Sequence, residues 1–104
     1  MNKAEYIREV LEEKGISQSS IAKKLGISRQ AIFGTLSRKN PNFATVREIF
    51  NALGLEVAVK RKDGCDLDFD VNSLYKVLDE DIVGYERVES ILNVMGYKLV
   101  IEEK

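Results

Sequence analysis

SQSSIAKKLGISRQAIFGTLS, running from Ser17 to Ser37, is the stretch whose reading decides the fold. Ser17 carries a hydroxyl that can accept from an unpaired backbone N–H of a first helical turn, so it predicts an N-cap. Ile21, Ala22 and Leu25 follow as one apolar stripe. Gly26 comes next, where a helix end favours a left-handed residue. Ile27 is apolar and suited to plug the gap between two helices, and Ser28 is a second N-cap. Ile32 and Leu36 continue the stripe at i, i+4, and Ala22 is small where two helices would cross closely. The stretch therefore reads as two short helices joined by a tight glycine turn.

That order of residues is the helix-turn-helix pattern, which places a second, recognition helix (28–38) in the major groove of double-stranded DNA. An ordinary αα-hairpin in a helical bundle would carry some of the same residues. Arg29 and Gln30 occupy the first two positions of the recognition helix and are the candidate base readers. Arginine bonds bidentately to guanine and glutamine to adenine. Gln18 opens the preceding helix and is placed to bond a phosphate alongside backbone N–H groups, as is Ser28. Thr35, Ser37, Arg38, Lys39 and Asn40 follow as candidate DNA-backbone contacts, although Arg38 and Lys39 would serve solubility equally well. Lys23 and Lys24 are weaker candidates. Phe33 suits core or dimer packing better than a thymine methyl, and Gly34 offers no side chain at all.

Working outward, Asn2 with Glu5 resembles a capping box, Ile7, Val10 and Leu11 form one apolar face, and Gly15 stops the helix. Pro41 interrupts the chain. Phe43, Val46, Ile49, Phe50 and Leu53 then give the stripe of a fourth helix, ended by Gly54. Leu55, Val57 and Val59 alternate with Glu56, Ala58 and Lys60, a period of two that predicts a strand with one buried face.

Residues 3–55 resemble the helix-turn-helix domain of the phage repressor and Cro type, also called Xre, on Gln18, Ala22, Gly26, Ser28, Ile32, Leu36, Pro41, Leu53 and Gly54. The resemblance implies a compact helical DNA-binding head. Residues 28–59 further resemble addiction-module antidote (antitoxin) proteins of this type, in their N-P-x-F turn and leucine-glycine-leucine exit into a strand. That resemblance implies repression of the protein's own promoter and a basic toxin as partner. A plain phage-like repressor fits the same residues.

A second feature is an internal repeat. FATVREIFNALGLEVAVKRK (43–62) aligns without gaps with YERVESILNVMGYKLVIEEK (85–104), so that Val46 and Val88 stand 42 residues apart. Upstream, Ile32 and Leu36 align weakly with Leu74 and Leu78. Two amphipathic helices ending in glycine can also resemble each other by chance. The expected fold is mainly α with a small β element: a helix-turn-helix domain with a C-terminal strand (1–62), an acidic linker (63–71) and a helix-helix-strand unit (72–104). A lone strand would leave its backbone groups unpaired. Leu55, Val57 and Val59 are therefore expected to pair with Tyr97, Leu99 and Ile101 in an antiparallel ribbon within the chain, leaving a free edge or face for a homodimer.

Charge divides the chain. Residues 1–62 hold 12 Lys or Arg and 6 Glu, a net +6, whereas residues 63–104 hold 4 Lys or Arg and 11 Asp or Glu, a net −7. The basic half suits phosphate. The acidic half suits solvent or a basic partner, and Asp79, Glu80 and Asp81 stand at the repeat positions of Ser37, Arg38 and Lys39. A protein-interaction module that has lost DNA contact is the competing function class. With no histidine and one cysteine, Cys65, a Ser-His-Asp triad or a zinc site of histidines or several cysteines cannot be built from this chain. No enzyme, cofactor or metal is expected. The Asp66, Asp68, Asp70 series lacks the glycine and glutamate of a calcium loop. Neither a signal peptide nor a membrane-spanning run is expected, and a reducing cytoplasm suits the lone thiol.

Overall fold

The computed structural model describes residues 2–38, 40–80 and 83–104. Four helices come first: α1 (Lys3–Lys14), α2 (Gln18–Leu25), α3 (Arg29–Leu36) and α4 (Phe43–Ala52). Strand β1 (Leu55–Arg61), helices α5 (Val71–Glu80) and α6 (Tyr85–Val94), and strand β2 (Tyr97–Glu103) follow. The mainly helical class with one small sheet agrees with the sequence reading.

The helix starts are set by side-chain caps. Asn2 Oδ1 accepts from the Glu5 N–H at 2.9 Å, Ser17 Oγ from Ser20 at 3.1 Å, and Ser28 Oγ from Ala31 at 3.0 Å. Each such cap is worth about 1 kcal/mol. Gly26 closes α2 at φ 70°, a left-handed conformation that a Cβ would strain, and the next N–H, of Ile27, donates to the Ala22 carbonyl at 3.0 Å. Ile27, expected to plug the gap between the helices, is instead 38% exposed and stands outside the core.

The first core lies where α1 and α2 pack on α3 and α4. Ile7, Leu11, Ile21 and Ala22 from the first pair are buried with Ile32, Leu36, Val46, Ile49 and Phe50 from the second. The core continues through Leu55, Val57 and Val59 on β1 to Tyr85, Val88 and Leu92 on α6, so both units share one interior.

The 42-residue repeat becomes a local twofold. Strands β1 and β2 pair antiparallel within the chain, with Val57 opposite Ile101, Val59 opposite Leu99 and Arg61 opposite Tyr97. At the centre, Ala58 faces Val100, its own repeat mate. Backbone bonds between the units come in mated pairs. Phe43 N–H donates to Val83 O at 2.7 Å and Tyr85 N–H to Pro41 O at 2.8 Å, while Lys62 N–H donates to Gly96 O at 2.9 Å and Lys104 N–H to Gly54 O at 3.1 Å. Even the ammonium groups follow, with Lys62 Nζ on Asn93 O and Lys104 Nζ on Asn51 O. Helix α5 adds contacts with α4 through Tyr75 and Asp79 that reach across the two units.

Candidate nucleic-acid interface

The two expected base readers stand together at the start of α3. Ser28 caps the helix, so Arg29 and Gln30 are its first two residues, and both are exposed. With Phe33 and Gly34, one turn further on, they line a shallow open hollow. Phe33 is 64% exposed, which corrects the expectation of core packing and places its ring beside the candidate readers. A Cβ on Gly34 would meet open space, so nothing within the chain demands glycine there.

The backbone candidates divide. Gln18 is the first residue of α2, half-buried beside an N-terminus whose cap is Ser17. Thr35 and Ser37 turn their hydroxyls back into α3, donating to Ala31 O at 3.0 Å and Phe33 O at 2.8 Å. Each hydroxyl keeps lone pairs but has committed its proton. Ser37 and Arg38 share a hollow with Arg8, Asn2, Glu5 and Glu86. Arg8 in that hollow was not singled out by the sequence, because α1 stands outside the motif. Asn40 is turned to the second unit, where its Oδ1 accepts from the Glu86 N–H at the start of α6 at 3.0 Å. Lys39 lies outside the described residues. Lys24 reaches the carboxyl end of α4 and donates to Ala52 O at 2.8 Å, a favourable site for a cation.

The strand residues are brought together as a ribbon within one chain. Leu55, Val57 and Val59 are buried, and Tyr97, Leu99 and Ile101 are partly buried against the same core. Those side chains are spent on the interior. Among the described residues there is no group of acidic, cysteine or histidine side chains able to hold a metal, and no helix is long and apolar enough to cross a membrane.

This geometry, an exposed and capped second helix preceded by a glycine turn, agrees with comparison against known proteins. The chain is 34% identical over 71 residues to an uncharacterized protein of Haemophilus influenzae, an alignment covering 54% of this chain and 73% of that relative. No solved structure matches it. The family described as helix-turn-helix matches residues 7–59, which spans α2, α3 and α4 and runs into β1. The chain therefore belongs to the Xre-like helix-turn-helix family of DNA-binding regulators.

Proposed function

We propose that the protein is a sequence-specific transcriptional repressor acting in the cytoplasm on nucleoid DNA, with residues 28–38 seated in the major groove. The observation that carries this reading is the pairing of Arg29 and Gln30, both exposed, on the first turn of a helix capped by Ser28. Each good bidentate contact to a base discriminates by about 1–3 kcal/mol. Gln18, Ser28, Thr35, Ser37, Arg38, Lys39 and Asn40 are the proposed phosphate neighbours. Thr35 and Ser37 would have to release their helical acceptors first, whereas Asn40 engages Glu86 through Oδ1 and would offer its Nδ2 donors. One recognition helix reads a short half-site, which favours a dimer on DNA. Since the inner face of the ribbon is filled, that dimer would use an outer strand edge or the outer face around Ala58 and Val100.

The test is anisotropy of DNA from upstream of the protein's own gene, across a salt series, for wild type and an Arg29→Ala/Gln30→Ala variant. Tight binding that the variant loses on this DNA, but keeps at its weak level on random DNA, supports the reading. No preference over random DNA and no effect of the variant overturns it for that operator. A second reading, an antitoxin whose acidic half engages a basic toxin, draws its support from the net −7 of residues 63–104.

A further inference from the structure

We propose that the apolar groove between α5 and α6 is the docking site for an amphipathic helix of a different protein, one whose apolar stripe is bordered by lysine or arginine. The groove encloses about 400 Å³ and is walled by Leu74 and Leu78 of α5, by Ile91 and Leu92 of α6 and by Met95 just beyond it. Phe69 and Tyr97 also line it, their rings edge to face at 5.3 Å.

The repeat identifies what this groove lacks. Leu74, Leu78, Ile91, Leu92 and Met95 are the mates, 42 residues on, of Ile32, Leu36, Ile49, Phe50 and Leu53. In the first unit those five side chains are buried, because α1 and α2 lie over α3 and α4. The second unit has no counterpart of α1 or α2, since the positions 42 residues beyond them are already α4, β1 and the loop after it. The consequence is direct: Ile49 is 1% exposed and Ile91 50%, and Leu53 is 5% exposed and Met95 64%. An apolar surface shaped for helices has kept its residue types and lost its cover. The cover that the same surface receives in the first unit is helical, presenting Ile7 with Leu11 and Ile21 with Ala22.

Charge selects between occupants. Asp68 and Asp70 flank Phe69, and Asp68 accepts from the Tyr97 hydroxyl at 2.6 Å, so the acidic loop stands at the Phe69–Tyr97 end of the groove. Arg87 is the one charged side chain lining the groove among the described residues, and Glu86 and Glu89 line other hollows. A second copy docking groove to groove would set one net −7 half against another. A basic amphipathic helix meets the apolar floor and, at the Phe69–Tyr97 end, the acidic loop. This surface is separate from the α3 face, so its test succeeds or fails independently of DNA binding.

The probe is a labelled peptide of about 18 residues, with leucine at i, i+3, i+4 and i+7 and lysine on its other face, titrated with the full chain. A control peptide carries the same leucines with glutamate in place of lysine. The lysine peptide is expected to bind at least about tenfold more tightly than its control, and Ile91→Asn/Met95→Asn to weaken it by a further tenfold or so. Both substituted side chains are exposed, so the variant is expected to melt like wild type. Methyl NMR of the wild-type chain gives an independent readout, with shifts expected at Leu74, Leu78 and Leu92. Equal binding of the two peptides, binding indifferent to the variant, or shifts confined to the acidic loop would overturn the proposal. So would sedimentation showing a wild-type dimer that Ile91→Asn/Met95→Asn dissolves, because the groove would then belong to a second copy.

Discussion

Phe43 and Tyr85 stack on each other across the local twofold, ring centroids 5.4 Å apart and planes 25° from parallel. Each is the first residue of its helix, and each gives its backbone N–H to the opposite unit. Both are fully buried, and the Tyr85 hydroxyl has no hydrogen-bond partner among the described residues. Leaving a buried hydroxyl unpaired costs about 1–3 kcal/mol. Tyr85→Phe removes that cost while keeping the stack, so it is expected to raise stability by up to about 1 kcal/mol in urea melts. Burial also pushes the Tyr85 phenol above its usual 10. A raised folded-state value means the contribution is full below pH 10 and is lost as pH rises beyond it. Tyr85→Phe should therefore flatten the alkaline fall in stability. A loss of more than about 1 kcal/mol would show that the hydroxyl is bonded.

The Arg47 guanidinium ties helix α5 to α4, beside the contact of Tyr75 with Phe43. Arg47 Nη2 donates to Asp79 Oδ2 at 2.7 Å, and the group lies 4.3 Å from the Tyr75 ring centroid. Tyr75 in turn donates its hydroxyl to Val57 O at 2.6 Å. Arg47→Ala removes the ion pair, the cation–π contact and the packing of the stem, with an expected cost of about 1–3 kcal/mol. Arg47→Lys keeps the charge but loses the flat fork, so it is expected to recover less than half of that. Equal stability of Arg47→Lys and wild type would argue that charge alone matters.

Asp68 ties the acidic loop to β2. The hydrogen bond from Tyr97 holds its carboxyl below the usual 3.8, as does a bond to its own backbone. A lowered folded-state value means the contribution is present above pH 3.8 and is lost as pH falls through the folded value. Carboxyl-carbon NMR is expected to show Asp68 titrating at a lower pH in wild type than in Tyr97→Phe, which removes the hydrogen bond. Its protonation should coincide with shifts at Phe69. An Asp68 titration unchanged by Tyr97→Phe would discard the tie.

Much of this was legible in the sequence, for identifiable reasons. The caps at Ser17 and Ser28 and the turn at Gly26 are local devices, encoded within a few residues, and they formed as read. The ribbon was legible because Leu55, Val57 and Val59 alternate and have mates at Tyr97, Leu99 and Ile101. Of the two packing roles read for Phe33, core or dimer, the core role fails, since its exposure depends on where α3 faces in the assembled head. Asn40 sits in a stretch read as DNA-facing, but its bond to Glu86 joins residues 46 apart, a pairing no local pattern carries. The groove was hidden for a different reason: Ile91 and Met95 look like core residues, and only the missing cover leaves them bare.

The chain should not survive loss of its second unit. Ending it after Asp63 would uncover Phe43, Val57 and Val59, all now buried against residues of 85–104. In principle two such fragments could rebuild the twofold by pairing β1 with β1. In the observed register Lys60 would face Glu56 of the other fragment, so charge permits that pairing. Both copies would nevertheless lack α5, and with it the Tyr75 ring on Phe43 and the Asp79 carboxylate on Arg47. The fragment is therefore expected to be unfolded or a destabilised monomer by circular dichroism and sedimentation, and a stable dimer would refute this argument.

Arg29 and Arg38 should separate specificity from general affinity. Arg29 is exposed at the start of α3 with Gln30, whereas Arg38 follows the helix and neighbours Ser37 and Arg8. Removing a side chain that reads a base weakens the operator alone, by about 1–3 kcal/mol. Removing one that bonds a phosphate weakens all sequences alike and lowers the salt slope by about 1. Arg29→Ala is thus expected to reduce operator binding by roughly 5- to 150-fold with little change on random DNA. Arg38→Ala is expected to weaken both DNAs in parallel, with the shallower salt dependence. The two variants are compared by anisotropy on the same pair of DNAs from about 50 to 200 mM salt. A parallel loss for Arg29→Ala would move it from the base-reading set to the phosphate set, and leave Gln30 to carry the reading.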